Sequence, residues 1–219
     1  MHSSIGLKLM MAVSGLYFVF FVLFHMYGNL KILASHEAFD TYAHHLRTMF
    51  EPILPYEGFL WIFRLTLIIA LAAHVYSALT LWSRANTARG AKYEVKKAAA
   101  ASLSSKWMRW GGIALILFVL FHLAQFTLLR INVGGYRGTP AERVVLAFQQ
   151  PWLVLIYVIA LLALAMHLRH GVWSACQTLG WTNTANSRRY ANLAGIAISA
   201  ITVIGFLIPP LAILFGVIQ

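Results

Sequence analysis

Acidic residues are the scarcest chemistry in this chain: six Asp and Glu among 219 residues, against seventeen Lys and Arg. The single cysteine, Cys176, excludes an intramolecular disulfide and any cluster built on a set of thiolates. No glycine-rich phosphate loop and no dinucleotide fingerprint is present. Charged residues make up only 11% of the chain, where a soluble domain carries about 25%. Together these absences exclude a soluble enzyme, a disordered tail and a disulfide-stapled secreted module. What is present is oil: 60% hydrophobic residues and a mean hydropathy of +0.73. In a soluble protein a formal net charge of +11 would suggest nucleic acid. In a chain this apolar it reads as loop charge that fixes membrane orientation, with no nucleic-acid partner.

A spanning helix needs about 20 apolar residues. Five stretches qualify, predicting an all-α bundle of five transmembrane helices over about 9–32, 58–83, 107–130, 151–179 and 192–218, within one domain covering 1–219. Pro209-Pro210 in the last span is expected to kink or end it. The first run is long, contains His25 and Asn29 and lacks an Ala-x-Ala site, so it reads as a retained helix and not a cleaved leader.

Loop charge sets the orientation. The 84–109 segment holds Arg84, Arg89, Lys92, Lys96, Lys97, Lys106 and Arg109 against Glu94 alone. With that segment cytoplasmic, Lys8, Arg169, Arg188 and Arg189 fall on the same side, and the basic residues split 11 inside to 6 outside. The N-terminus is then cytoplasmic and the C-terminus outside.

Five of the nine histidines sit in spans: His25, His74, His122, His167 and His170. An ionisable group at membrane depth is costly and marks a functional site by default. A single one is often just a polar side chain bonded across helices. Here four successive helices each carry at least one, and no acid lies in any span to partner them. Their depths sort them into two levels. His25 and His122 lie about 9 and 12 Å from the outer ends of their helices. His74 and His167 lie deeper, the latter about 22 Å below the start of its helix. Two levels, each with one imidazole from each of two helices, suit the axial ligands of two b haems, and suit zinc poorly, because zinc wants four ligands at one point. The other nitrogen of each imidazole needs an acceptor, and a backbone carbonyl one turn back can serve. Gly28, Ser77, Ala78 and Gly171 share helix faces with these histidines and leave space for a macrocycle beside the backbone. His170 competes with His167; depth favours His167, leaving His170 as an alternative ligand or a propionate or quinone contact. Lys8, Ser14, Arg64, Arg84 and Arg109 are candidate propionate partners.

The run SSIGLKLMMAVSGLYFVFFVLFHMYGNL, the phrase FDTYAHHL and the segment HLRHGVWSACQTLGW resemble the membrane cytochrome b subunit of succinate:quinone oxidoreductases, closest to the single-chain, five-helix, di-haem type. The resemblance implies that His25 and His122 hold a distal haem and His74 and His167 a proximal one, the pairing reached from depth. It implies a flavoprotein and an iron–sulfur protein docked on the cytoplasmic face of a bacterial inner membrane, with room for a higher oligomer of the complex. It makes this chain an enzyme only as a subunit, with no dicarboxylate site of its own. It also points to quinone, and to menaquinone in particular, as substrate. Glu51 and Glu57, just before the second span, are candidates for quinone protons, and Trp173, Gln177 and Ser174 for a second quinone pocket. The rival readings are a haem b subunit of a formate dehydrogenase or hydrogenase, a haem-free anchor, and a small transporter.

Overall fold

A computed structural model describes residues 3–87, 99–135 and 138–219, with side chains described from residue 108 onward in the helix that begins at Ala99. Arg89, Lys92, Glu94, Lys96, Lys97 and the Lys106 side chain, all used above for topology, lie outside the described residues, as does Arg137, one of the six basic residues counted outside. The described chain is all helix: α1 (Ser4–Leu30), α2 (His36–Thr48), α3 (Gly58–Thr87), α4 (Ala99–Phe126), α5 (Pro140–Phe148), α6 (Pro151–Thr178) and α7 (Ala185–Leu214). Five of these, α1, α3, α4, α6 and α7, are long and apolar enough to cross a membrane.

Several helices begin where polar side chains cap them, not where the oil starts. Ser3 accepts a bond from the Gly6 amide and starts α1 five residues before the predicted position. Thr184 forms a capping box with Ser187 and starts α7 seven residues early. The helix α4 ends at Phe126, short of the expected 130, because Leu129 turns to positive φ and the Arg130 and Ile131 amides bond back to the Ala124 carbonyl. The expectation that Pro209-Pro210 would kink or end the last span is corrected in one respect: α7 runs through both prolines to Leu214. They remove only two amide donors near the helix end, and both rings are buried against the neighbouring helices.

Two short helices missing from the expected architecture, α2 and α5, form a cap over one end of the bundle. The best-buried apolar cluster lies there, not at mid-membrane. It joins Ile32, which follows α1, to Val144, Val145 and Phe148 of α5, Leu153, Val154 and Tyr157 of α6, and Ile213 of α7. Burying a side chain of this size contributes roughly 1.5–3 kcal/mol. Because Ile32 and Ile213 meet in this cluster, the ends of α1 and α7 share the cap, and the N-terminus lies at the opposite end of the bundle. Tyr42 of α2 sits against Gly28 of α1, where a Cβ would come within 2.6 Å of its ring. Burial pushes the Tyr42 phenol above its usual range, Tyr27 adds to that, and Lys31 opposes it.

Across the bundle, α6 packs along α7, and Gly195 lets the helices close: a Cβ there would meet the Arg169 carbonyl. Ser199 donates to the Ala165 carbonyl at 2.8 Å across the same seam. The helix α1 touches α3, α6 and α7, and α4 touches α6. Exposed tryptophans ring both ends, Trp61 and Trp152 near the cap, Trp110 and Trp181 at the other, as interfacial belts do.

The cap is held by capping chemistry that crosses between helices. Thr139 forms a capping box with Glu142 at the start of α5, and Asp40 of α2 accepts the next free amide, that of Ala141, at 2.8 Å. Removing an N-terminal acceptor costs about 1 kcal/mol. Asp40→Ala is therefore expected to lower the thermal midpoint of the detergent-solubilised protein, while Asp40→Asn, which keeps an acceptor oxygen, retains most of it.

Candidate functional site: two pairs of imidazoles

The fold brings four of the five span histidines together in twos. His25 of α1 and His122 of α4 have ring centroids 5.8 Å apart with planes at 82°. His74 of α3 and His167 of α6 have centroids 6.2 Å apart with planes at 57°. The first pair lies near the cap and the second deeper, as depth along the sequence predicts. Among the described residues no three His, Cys, Asp or Glu side chains gather at one point. A bond from a first-row metal to an imidazole is about 2 Å, and the ring centre lies about 1 Å behind its nitrogen, so two rings on opposite sides of one metal have centroids about 6 Å apart. Both observed separations match that spacing.

Each pair spans a gap. Among the described residues the backbones of α1 and α4 do not pack along one another, and neither do those of α3 and α6. Aromatic rings line the upper pair: Phe21, stacked on His25; Phe206, at 5.7 Å; and Phe118, stacked on His122. At the lower pair Phe18 stands edge-on to His74, with centroids 6.3 Å apart, and two glycines come close. A Cβ on Gly15 would come within 3.3 Å of His74 Cε1, and one on Gly112 within 3.7 Å of His167 Cε1. All four imidazoles keep accessible surface, yet His167 Nδ1 is fully buried with no hydrogen-bond partner. Helix backbones held apart, opposed imidazoles and a buried nitrogen left unbonded fit a flat metal-centred group.

Two of the four rings lie against hydroxyls from other helices, and at His74 the backbone partner is Met11 of α1 and not a carbonyl one turn back on its own helix. Ser14 Oγ lies 3.2 Å from His74 Nδ1. Tyr157 Oη lies 3.0 Å from His122 Nδ1 and donates to Gln125 Oε1 at 2.9 Å. Of the four small residues singled out in the sequence, Gly28 is reassigned. Gly28 makes room for Tyr42, Ala78 is exposed, Ser77 bonds its own helix at Ala73, and Gly171 faces nothing within 4 Å. Gly15 and Gly112 are the glycines beside the rings. Neither they nor Tyr157 and Gln125 stand out in the sequence, because only the crossing of helices places them.

The remaining candidates are dispersed. His170 lies nearly one turn beyond His167 and is half-buried; the ring opposite His74 is that of His167. Of the candidate propionate partners, Ser14 faces His74, Arg84 donates to Ser4, Arg109 lies over the Trp82 ring, Lys8 is exposed, and Arg64 faces Glu57 and Trp61. Glu57 is bridged by Arg47 at 3.2 Å and Arg64 at 3.6 Å, whereas Glu51 is exposed. Trp173 and Ser174 are half-buried and Gln177 exposed at the far end of α6.

These features define a polytopic membrane protein with two tiers of paired histidines. A family model for the succinate dehydrogenase/fumarate reductase transmembrane subunit matches residues 83–206, more than half of the chain, and the chain belongs to that family. No curated protein and no solved structure matches it. Membership makes it a membrane subunit of complexes that contain separate catalytic subunits.

The Arg47–Glu57–Arg64 group is partly solvent-exposed, so its ion pairs are worth no more than about 1 kcal/mol each. Glu57→Gln is expected to cost little thermal stability in detergent, by an amount that shrinks as ionic strength rises.

Proposed function

We propose that this chain is the membrane anchor and cytochrome b subunit of a succinate:quinone oxidoreductase in the bacterial cytoplasmic membrane. His25 and His122 would hold a distal b haem, and His74 and His167 a proximal one. When bound, the two haems supply one-electron carriers between the partner iron–sulfur subunit and membrane quinone. The observation that carries this reading is the spacing of the two imidazole pairs, 5.8 and 6.2 Å between centroids, across helices that do not otherwise pack.

The chain's own part is to hold four neutral imidazoles in fixed orientation and to keep water away from them. The aromatic wall of Phe21, Phe118 and Phe206 does this at the distal pair. Charge gives the orientation: the end away from the cap carries Lys8, Arg84, Arg109, Arg169, Arg188 and Arg189, and the cap carries five of the six acids. The N-terminus is then cytoplasmic, and the basic face receives the iron–sulfur and flavoprotein subunits. Glu51, which is exposed, and Glu57, which two arginines bridge, are the candidates to exchange protons with menaquinone at the cap end. Trp173 and Gln177 mark the corresponding region at the cytoplasmic end. The family assignment weighs against a formate dehydrogenase or hydrogenase subunit.

Haem content per chain and the dithionite-reduced spectrum of the purified complex test this reading. Two b haems are expected in the wild type. His25→Ala and His74→Ala are each expected to remove one and leave the other. A wild-type complex with no α-band in the b-cytochrome region overturns it and leaves a haem-free anchor.

A further inference from the structure

The hydrogen bonds to the imidazoles have a pattern that the ligand assignment does not require. We infer that Ser14 and Tyr157 are positioning residues, each fixing the tautomer of one histidine in one tier; the inference rests on the haem reading above. Consider the lower tier first. Ser14 is buried, and its hydroxyl proton is committed to its own helix, with the Met10 carbonyl at 2.7 Å and that of Met11 at 3.2 Å. Toward His74 Nδ1, 3.2 Å away, the serine oxygen therefore presents only lone pairs. It accepts, and Nδ1 must carry the proton. Nε2 is then the bare nitrogen, the form in which an imidazole ligates.

The upper tier repeats the logic with different residues. The Tyr157 proton goes to Gln125 Oε1 at 2.9 Å, inside the protein. The phenol oxygen is left to accept from His122 Nδ1 at 3.0 Å, again leaving Nε2 bare. Gln125 is fully buried, three residues after His122 on the same helix face.

The arrangement is crossed. The helix α1 bears His25 of the upper tier and Ser14, which holds the lower-tier His74. The helix α6 bears His167 of the lower tier and Tyr157, which holds the upper-tier His122. Ser14 and His25 are eleven residues apart and Tyr157 and His167 ten, which is about 16 and 15 Å along a helix. Two independent helices thus give the same spacing between tiers. Each therefore sets one ligand directly and the opposite tier's ligand through a hydroxyl.

An acceptor on Nδ1–H makes an imidazole a stronger donor and favours the ferric over the ferrous state of a bound iron. Its removal should raise the midpoint potential of that haem alone. Redox titration of the purified complex, followed at the α-band, reads this out without turnover. In the His74→Ala background, where only the distal haem remains, Tyr157→Phe is expected to weaken the ferric preference about tenfold, a rise of about 59 mV for one electron. In the His25→Ala background Ser14→Ala should raise the proximal haem similarly, and Ser14→Thr, which restores a hydroxyl, should return it toward the parent value. Haem that is retained with unmoved potentials overturns the inference and leaves the haem reading intact. A wild type without haem overturns both.

Discussion

A buried imidazole in hydrocarbon has no water to satisfy its two nitrogens, so each must find a partner in the protein or a metal. That constraint organises the bundle. His25, His122, His74 and His167 project toward one another in twos, between helices that do not pack along each other. Hydroxyls satisfy one nitrogen on two of the rings, and a buried nitrogen of a third, His167, is left unbonded. A bundle evolved for stability alone would close these gaps with small-residue seams, as α6 and α7 do at Gly195.

The cost of an open middle is offset at one end. The short helices α2 and α5 bring Ile32, Phe148, Leu153 and Ile213 into one dry cluster that ties the ends of α1 and α7 to the start of α6. Tyr157 belongs both to that cluster and to the hydrogen bond on His122. The cap is thus continuous with the upper imidazole pair. Order in the cap and orientation of the ring are one packing problem. The lower pair has no such roof and relies on close approach, with Gly15 and Gly112 under the rings and Ser14 between helices.

Chemical polarity follows the same axis. Acids gather at the cap, where Asp40 closes α5 and Glu57 sits between two arginines, while the opposite end is basic. In a family whose members are membrane subunits of complexes with catalytic partners, an unbalanced basic end suits both membrane topology and a docking face. In the proposed reading the two tiers connect that face to the cap, so electrons enter at the basic end and meet quinone protons at the cap.

The sequence by itself determined the five spans, their all-helical nature and the four histidines, because hydropathy and the rarity of intramembrane polar groups are properties of the linear chain. Depth along each helix sorted four of the histidines into the same pairs whose rings the fold brings close, since a helix converts residue number into height. Height, however, says nothing of azimuth. Only the tertiary structure decided that Gly28 serves Tyr42 and not the site, that Gly15 and Gly112 lie against the rings, and that Ser14 and Tyr157 reach across to His74 and His122. Those contacts are fixed by how helices rotate and cross. That in turn depends on the cap, whose two amphipathic helices are too short and too polar to register as spans.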